Sequence, residues 1–234
     1  MWAAWNEPNN PVYLSPQYTR IGGHWRIESA HQYAKICNAV YTGVHSLLIS
    51  PERGPVPGEQ VACGLTSPRG NDAPLSTRPE VDPLSFMTAA KRYGLKTFDV
   101  WAHHPYPLSG TDPPGYIPKP IEHAVLLGNI NSLLRKLTQL WGPKHLWITE
   151  YGYQTNPPNH TPFGISWAKQ AAYMKQAYTI AAANPRIDMM IWYLIQDDTS
   201  RTGWQSGLQT ATGTPKPSFH TFQNLNTITT SARP

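Results

Sequence analysis

The sequence predicts an α/β protein built on a parallel sheet, and three observations carry the prediction. Short apolar runs alternate with segments of helical periodicity from one end of the chain to the other. The breaks between them are rich in proline and glycine, in a chain with 24 Pro and 17 Gly among 234 residues. No glycine-rich phosphate loop follows any strand, which weakens a nucleotide-binding sheet. Strand–helix alternation puts helices on the faces of a parallel sheet. The sheet is either closed, as a (β/α)8 barrel, or open and doubly wound.

The elements follow in order. Residues 2–5 read as the end of a strand. Ser29 with Gln32 reads as a capping box. Tyr33, Ile36, Cys37, Val40, Tyr41 and Val44 then recur at helical spacing. A Pro/Gly-rich loop at 51–58 leads to a short strand at 60–64. After a loop at 66–81, Asp82 is an N-cap with Pro83 at the first helical position. That helix runs to Tyr93 and stops at Gly94. A strand is expected at 97–101.

The proline-rich loop 105–120 leads into a long helix with Leu126, Ile130, Leu133, Leu134, Leu137 and Leu140 on one face, ended by Gly142-Pro143. A strand at 146–149 comes next. A helix at 165–183 turns Ala168, Ala172, Ile180 and Ala181 inward and closes at Asn184-Pro185. A strand at 188–194 and a helix at 217–226, with Phe219 and Phe222 buried, complete the chain. The loops 66–81, 105–120 and 151–163 all follow strands. In a barrel they gather on the active-site face.

The length suits one domain covering 1–234. Hydrophobic residues at 40% and charged residues at 14% fit a globular core, not a disordered chain. The net charge of +5 comes from scattered Arg and Lys, which argues against a nucleic-acid partner. No run of about 18 apolar residues crosses a membrane. No signal-peptide pattern is visible, and localisation stays open, with secretion compatible with a longer protein.

Cys37 and Cys63 permit one disulfide at most, since a helix and the following strand can be neighbours; two buried free thiols is the favoured reading. No Cys/His spacing resembles a zinc site, so no metal and no cofactor is expected. Asn159-His160-Thr161 is a glycosylation sequon.

Two strings carry chemistry: Trp5-Asn6-Glu7-Pro8 and Ile148-Thr149-Glu150-Tyr151-Gly152. Each ends a short apolar run with a glutamate where a strand hands over to a loop. One such glutamate is ordinarily a solvated charge. Two of them are the equipment for cleaving a glycosidic bond, and retention needs carboxyls about 5–5.5 Å apart. Their environments must differ so that one holds a proton while the other is ionised. Asn6 is suited to bond a sugar hydroxyl, and Tyr151 to line the pocket. His103 and His104 are adjacent on a strand and point to opposite faces, so His104 is assigned to the cleft and His103 to structure. Asp197 and Asp198 read as a loop-surface pair, with Gln196 and Asp197 as alternative substrate contacts.

Asn6-Glu7-Pro8 resembles the acid/base motif of clan A of the glycoside hydrolases, at the end of barrel strand four. Ile148-Thr149-Glu150 resembles the clan's nucleophile segment at the end of strand seven. His104-Pro105-Tyr106 matches the clan's His-x-Tyr pattern at the end of strand six, where the Tyr hydroxyl bonds the nucleophile and the His lines the cleft. Trp192, or Trp204 in the following loop, matches the Trp such enzymes present under the sugar ring. The run from Gly207-Leu208 to Gly213-Thr214-Pro215-Lys216-Pro217 also resembles their closing segment.

The resemblance covers nearly the whole chain and is to retaining β-glycosidases of the cellulase and β-xylosidase types. It implies Glu7 as general acid/base and Glu150 as nucleophile, acting through a glycosyl-enzyme intermediate. It also implies Asn6, His104, Tyr106, Tyr151, Trp192 and Trp204 as contacts to a glycoside, oligosaccharide or polysaccharide.

One departure stands out. Only 6 residues precede Glu7, while three βα units need roughly 90. The expectation is therefore an incomplete (β/α)8 barrel with about strands four to eight. It is a fragment, is closed by self-association or a companion chain, or closes differently. The alternative function is a non-catalytic carbohydrate-binding remnant; a redox enzyme on an α/β fold lacks a cofactor motif.

Overall fold

A computed structural model describes residues 1–47, 58–158 and 163–225. In chain order the elements are β1 (Trp2–Ala3), β2 (Tyr18–Ile21), β3 (His24–Ile27), α1 (Glu28–Leu47), β4 (Val61–Thr66), α2 (Pro83–Arg92), β5 (Val100–His103), α3 (Asn131–Trp141), β6 (Leu146–Tyr151), α4 (Trp167–Ala182), β7 (Ile187–Trp192) and α5 (Pro217–Gln223). Single 3-10 turns at Pro120–Glu122 and Leu127–Asn129 precede α3. The Pro/Gly-rich loop at 51–57, the sequon at 159–161 and position 226 lie outside the described residues.

The strands form one five-stranded parallel sheet in the order β1-β4-β5-β6-β7, with β2 and β3 a separate antiparallel hairpin. This meets the α/β expectation. Every residue of β4 and β5 is buried, as parallel strands covered on both faces require. The chain divides into two compact units, and β6 begins in the first and ends in the second.

The first unit holds Met1–His104, Pro118–Val125 and Asn131–Trp147. β1 pairs with β4 through Trp2↔Val61 and Ala3↔Ala62, and β4 pairs with β5 through Ala62↔Val100 to Thr66↔His103. The β4–β5 register shifts between Gly64 and Thr66. Gly64 (φ 98°) and Leu65 (φ 45°) are both left-handed there, the bend that one extra residue in a strand produces. Tyr33 of α1 ties the strands together. Its hydroxyl donates to Ala4 O at 2.9 Å and accepts from Gly64 N at 2.6 Å. Behind the sheet lie Phe86, Met87, Leu95, Phe98, Trp101, Leu133 and Leu137, with Trp101 stacked on Trp141 at 5.4 Å.

α2 follows the sequence closely. Asp82 accepts from Leu84 N and Ser85 N, Pro83 opens the helix, and Gly94 (φ 90°) follows its C-cap. α1 does not. It starts at Glu28, and Ser29 donates to Gln17 while Gln32 donates to Glu28. The expected capping box is absent because Gln17 takes Ser29 and Glu28, held also by Arg26 and His31, takes Gln32. The strand expected at 97–101 runs over Val100–His103 instead, since Asp99 turns its carboxylate back to Val61 N at 2.7 Å.

The free-thiol reading of the cysteines is corrected: Cys37 of α1 is bonded to Cys63 of β4, with Cα atoms 6.0 Å apart and a sequence separation of 26. Closing a loop of that size stabilises by about 3.5 kcal/mol in the chain-entropy description. Thermal unfolding with and without a thiol reductant is expected to show a lower midpoint on reduction. A Cys37→Ala/Cys63→Ala variant should melt at that lower midpoint in both conditions.

The second unit holds Pro105–Ile117, Leu126–Ile130 and the chain from Ile148. β7 continues from β6, with Tyr193 N donating to Tyr151 O at 2.8 Å. α4 packs on α5 and β7. Its buried face is Gln170, Met174, Ala177 and Ala181, whereas Ala168 and Ala172 are exposed. The helix is rotated from its alanine pattern because Gln170 is anchored inside. It donates to Tyr153 O and Ser206 O and accepts from Ser218. In α5, Ser218 is the buried residue while Phe222 is exposed and Phe219 half-buried, because Ser218 is the residue that reaches Gln170.

Candidate active site

In the first unit the site grows from the end of β1. Ala4 N donates to Ala62 O and Glu7 N to Leu65 O, so the chain leaves the strand in register with β4. Trp5 (φ 80°) and Glu7 (φ 37°) are both left-handed. Such non-glycine conformations cost about 1–3 kcal/mol each and persist only where surroundings over-determine them. The surroundings here are specific. Trp5 donates its indole N–H to Tyr13 O at 3.0 Å. Asn9 donates to Val81 O and accepts from Ser67 N, and Gln17 donates to Pro8 O at 3.0 Å. Asn6 is half-buried between the two strained residues.

The Glu7 carboxylate is bonded at both oxygens. His104 Nδ1 lies 3.1 Å from Oε1, and Asn10 Nδ2 donates to Oε2 at 3.1 Å. Side-chain exposure is 12% for Glu7 and 1% for His104, so this is a nearly dry pair. His104 is placed by its backbone N–H, which donates to Thr66 O at 3.0 Å. Asn10 was not singled out from sequence, although its position three residues after Glu7 in a turn was the available signal.

His103, by contrast, is sealed in structure. Its Nε2 faces the Val125 carbonyl at 2.8 Å and its Nδ1 faces Thr66 Oγ1 at 2.7 Å. A carbonyl only accepts, so Nε2 carries the proton and Nδ1 accepts from the threonine. Burial pushes its pKa down to about 3. In the unfolded chain its ordinary pKa is near 6.5. Between those values the unfolded state binds a proton that the folded state refuses. Stability is therefore lost as pH falls below 6.5, at about 1.4 kcal/mol per pH unit from this group. Urea unfolding at pH 7 and pH 5 is expected to show this loss, and His103→Gln should reduce it by about 2 kcal/mol.

In the second unit the site grows from the end of β6. Tyr106 donates its hydroxyl to Glu150 Oε2 at 3.1 Å. The Tyr106 ring stacks parallel to Tyr151 at 6.5 Å and lies 5.4 Å from Trp204. Tyr151 is buried and donates to the Tyr153 hydroxyl, which donates to Asp112 O. Burial raises the pKa of Tyr151 well above its ordinary value, so it stays a neutral donor. Tyr193 is raised too, by burial and then by the negative charges of Glu150 and Asp198.

Trp192 stands behind this layer. It is buried against Tyr151, with its indole N–H donating to Ser206 O at 2.8 Å. Trp204 is the exposed one, at 42%. It walls a cavity of about 260 Å³ together with Tyr106, Pro107, Gly110, Gly152, Tyr153, Gln154 and Phe163. Phe163 and Tyr193 were missed from sequence; each is one aromatic among loop residues, with no periodicity to mark it.

The expected surface pair at 197–198 is corrected. Asp198 is exposed, but Asp197 is buried in an ion pair with Lys216 at 2.7 Å. It turns inward because Gly207 N and the fully buried Lys216 ammonium both meet its carboxylate. Gln196 donates to Ala211 O.

A family model described as a family of unknown function (DUF5722) matches residues 81–233, more than half of the chain, and the chain belongs to that family. A search of curated proteins gave no match. Among solved structures, the chain is similar to a GH39 β-xylosidase from Caulobacter crescentus, with a TM-score of 0.56 and 16% identity over 96% of this chain and 41% of that one. A family 39 glycoside hydrolase from Bacteroides cellulosilyticus WH2 gives a TM-score of 0.56 and 20% identity over 93% and 38%. A GH2 β-galacturonidase from Eisenbergiella tayi gives 0.51 and 13% over 82% and 29%. The chain thus has a glycoside-hydrolase-like fold and spans about two fifths or less of the length of these structures.

Proposed function

We propose that this DUF5722 member is a retaining glycoside hydrolase of clan A, with Glu7 as general acid/base and Glu150 as nucleophile. The five strands of the sheet would correspond to strands four to eight of a (β/α)8 barrel. The observation that carries the reading is the Tyr106 hydroxyl on the Glu150 carboxylate at 3.1 Å, beside an aromatic cavity. That bond orients the carboxylate to which the proposal assigns the attack. The likeness in fold to glycoside hydrolases adds support.

In the first step Glu7 gives its proton to the glycosidic oxygen while a Glu150 oxygen bonds the anomeric carbon and the old C–O bond breaks. In the second, Glu7 takes a proton from water, whose oxygen attacks the same carbon and releases Glu150. His104 and Asn10 hold Glu7 in place across both steps. The substrate is a glycoside, oligosaccharide or polysaccharide. A panel of 2-deoxy-2-fluoro glycosyl fluorides tests the reading. Each expels fluoride and leaves its sugar on the nucleophile, and peptide mass spectrometry should find the added mass on Glu150. Cleavage of glycosides with the label on another residue would overturn the assignment.

A second reading, carbohydrate binding without turnover, is favoured by the exposed Trp204 that walls the aromatic cavity. It predicts saccharide binding that survives Glu7→Gln and Glu150→Gln in a protein that hydrolyses nothing.

A further inference from the structure

The loop that carries Trp204 is built around two buried side chains that the proposed chemistry does not use. Gln205 donates its amide to Asp198 O, Ser200 O and Gly203 O, so three carbonyls of the loop converge on one group. Its backbone carbonyl accepts from Thr155 N, Thr155 Oγ1 and Lys216 Nζ. Asp198 N donates to Trp204 O at 3.0 Å. Gly203 is required because a Cβ there would overlap the Asp198 side chain.

Lys216 is fully buried and reaches three segments at once: Thr155 after β6, Asp197 after β7, and Gln205 next to Trp204. Burying an ammonium and a carboxylate costs several kcal/mol per ion, and replacing such a pair by apolar residues is often neutral or stabilising. The pair therefore does not earn its place through stability alone. What its geometry does specify is the backbone on the C-terminal side of Trp204, whose ring lies near Tyr106 and Tyr193 while the residue stays 42% exposed.

We propose that Lys216 and Asp197 are positioning residues that pre-set the Trp204 ring as a fixed wall of the aromatic cavity, and so set affinity for the ring that the cavity receives. Resting on the glycosidase reading, the occupant is one sugar ring, its C–H face on Trp204. A cavity of about 260 Å³ falls below the ~300–1,000 Å³ of drug-sized sites, which suits a single ring. An aromatic wall held in advance binds without the ordering cost of a free side chain.

The test compares wild type, a Lys216→Met/Asp197→Leu double variant that removes both charges, and a milder Thr155→Val variant. Each is made with and without Trp204→Phe, so that the near-ultraviolet circular dichroism of Trp204 is read as a difference. Wild type should show a Trp204 band. The double variant should keep a cooperative melt but lose the band, and Thr155→Val should weaken it. Methyl β-glycoside binding should weaken about tenfold in the double variant and a few-fold in Thr155→Val. In hydrolysis the loss should fall on KM and not on kcat.

An unchanged Trp204 band in a folded double variant would overturn the proposal, whether or not sugar binds. If the double variant does not fold, Thr155→Val decides, and an unchanged band there overturns it equally. If the band is lost as expected but wild type binds no glycoside, the positioning role stands and the glycosidase reading fails.

Discussion

Glu150→Gln is expected to reduce hydrolysis of every glycoside to at most about 10⁻⁴ of the native rate, with no glycosyl adduct trapped. The amide keeps the shape and the Tyr106 contact but has no lone pair basic enough to bond the anomeric carbon. Glu7→Gln should behave differently. It removes a proton donor, and general acid–base catalysis contributes about 10²–10⁴-fold. Its first-step loss should depend on the leaving group: small for a nitrophenyl glycoside, whose phenolate departs unaided, and close to the full factor for a disaccharide. Values of kcat/KM on both substrates with both variants separate the roles, because they report the first step and leave out the second, in which Glu7 acts as base. Equal losses for the two substrates in Glu7→Gln would remove Glu7 from the acid position. Retention of full rate in Glu150→Gln would end the nucleophile assignment.

Gly64→Ala is expected to lower stability by about 2–5 kcal/mol. An L-residue at φ 98° costs about 1–2 kcal/mol. A Cβ there would also run into the Trp101 indole and come 2.7 Å from Ala102 O, and overpacking of this kind costs typically 1–3 kcal/mol. Trp101 is buried and stacked on Trp141, so it has little room to retreat. Gly94→Ala is the control. Gly94 has φ 90° with nothing near its Cβ position, so only the backbone cost of about 1–2 kcal/mol applies. Denaturant midpoints at constant slope compare the two. Gly64 is followed by Leu65, whose carbonyl accepts from Glu7 N, so the damaged variant should also lose activity beyond its loss of folded protein.

What could be read from the sequence was what is local. Asp82, Pro83 and Gly94 bracket α2 because caps act within a few residues of the backbone groups they satisfy. The two glutamates could be placed at strand ends because short apolar runs before polar residues mark that boundary. Pairings across the chain left no such trace. Lys216 and Asp197 lie 19 residues apart, and nothing in either neighbourhood announces a buried ion pair. The face of α4 was misjudged because alanines fit either side of a helix, whereas the buried Gln170 looks polar until its partners are known. The β2–β3 hairpin was overlooked although Gly22 and Gly23 stand at its turn with φ of 55° and 83°, the conformation that two-residue hairpins demand. The cysteine pairing needed the register of α1 on β4, which no single-sequence pattern supplies.

The covalent link between α1 and β4 has a consequence for how the molecule matures. Cys63 immediately precedes Gly64 and lies two residues before the carbonyl that holds Glu7. Glutathione and thioredoxin keep most thiols open in a bacterial or eukaryotic cytosol. A polypeptide produced there would have to hold its proposed acid/base residue without this crosslink. Oxidative refolding, or synthesis in a periplasm or endoplasmic reticulum, should therefore yield a higher fraction of competent molecules per milligram than cytosolic production of the same chain.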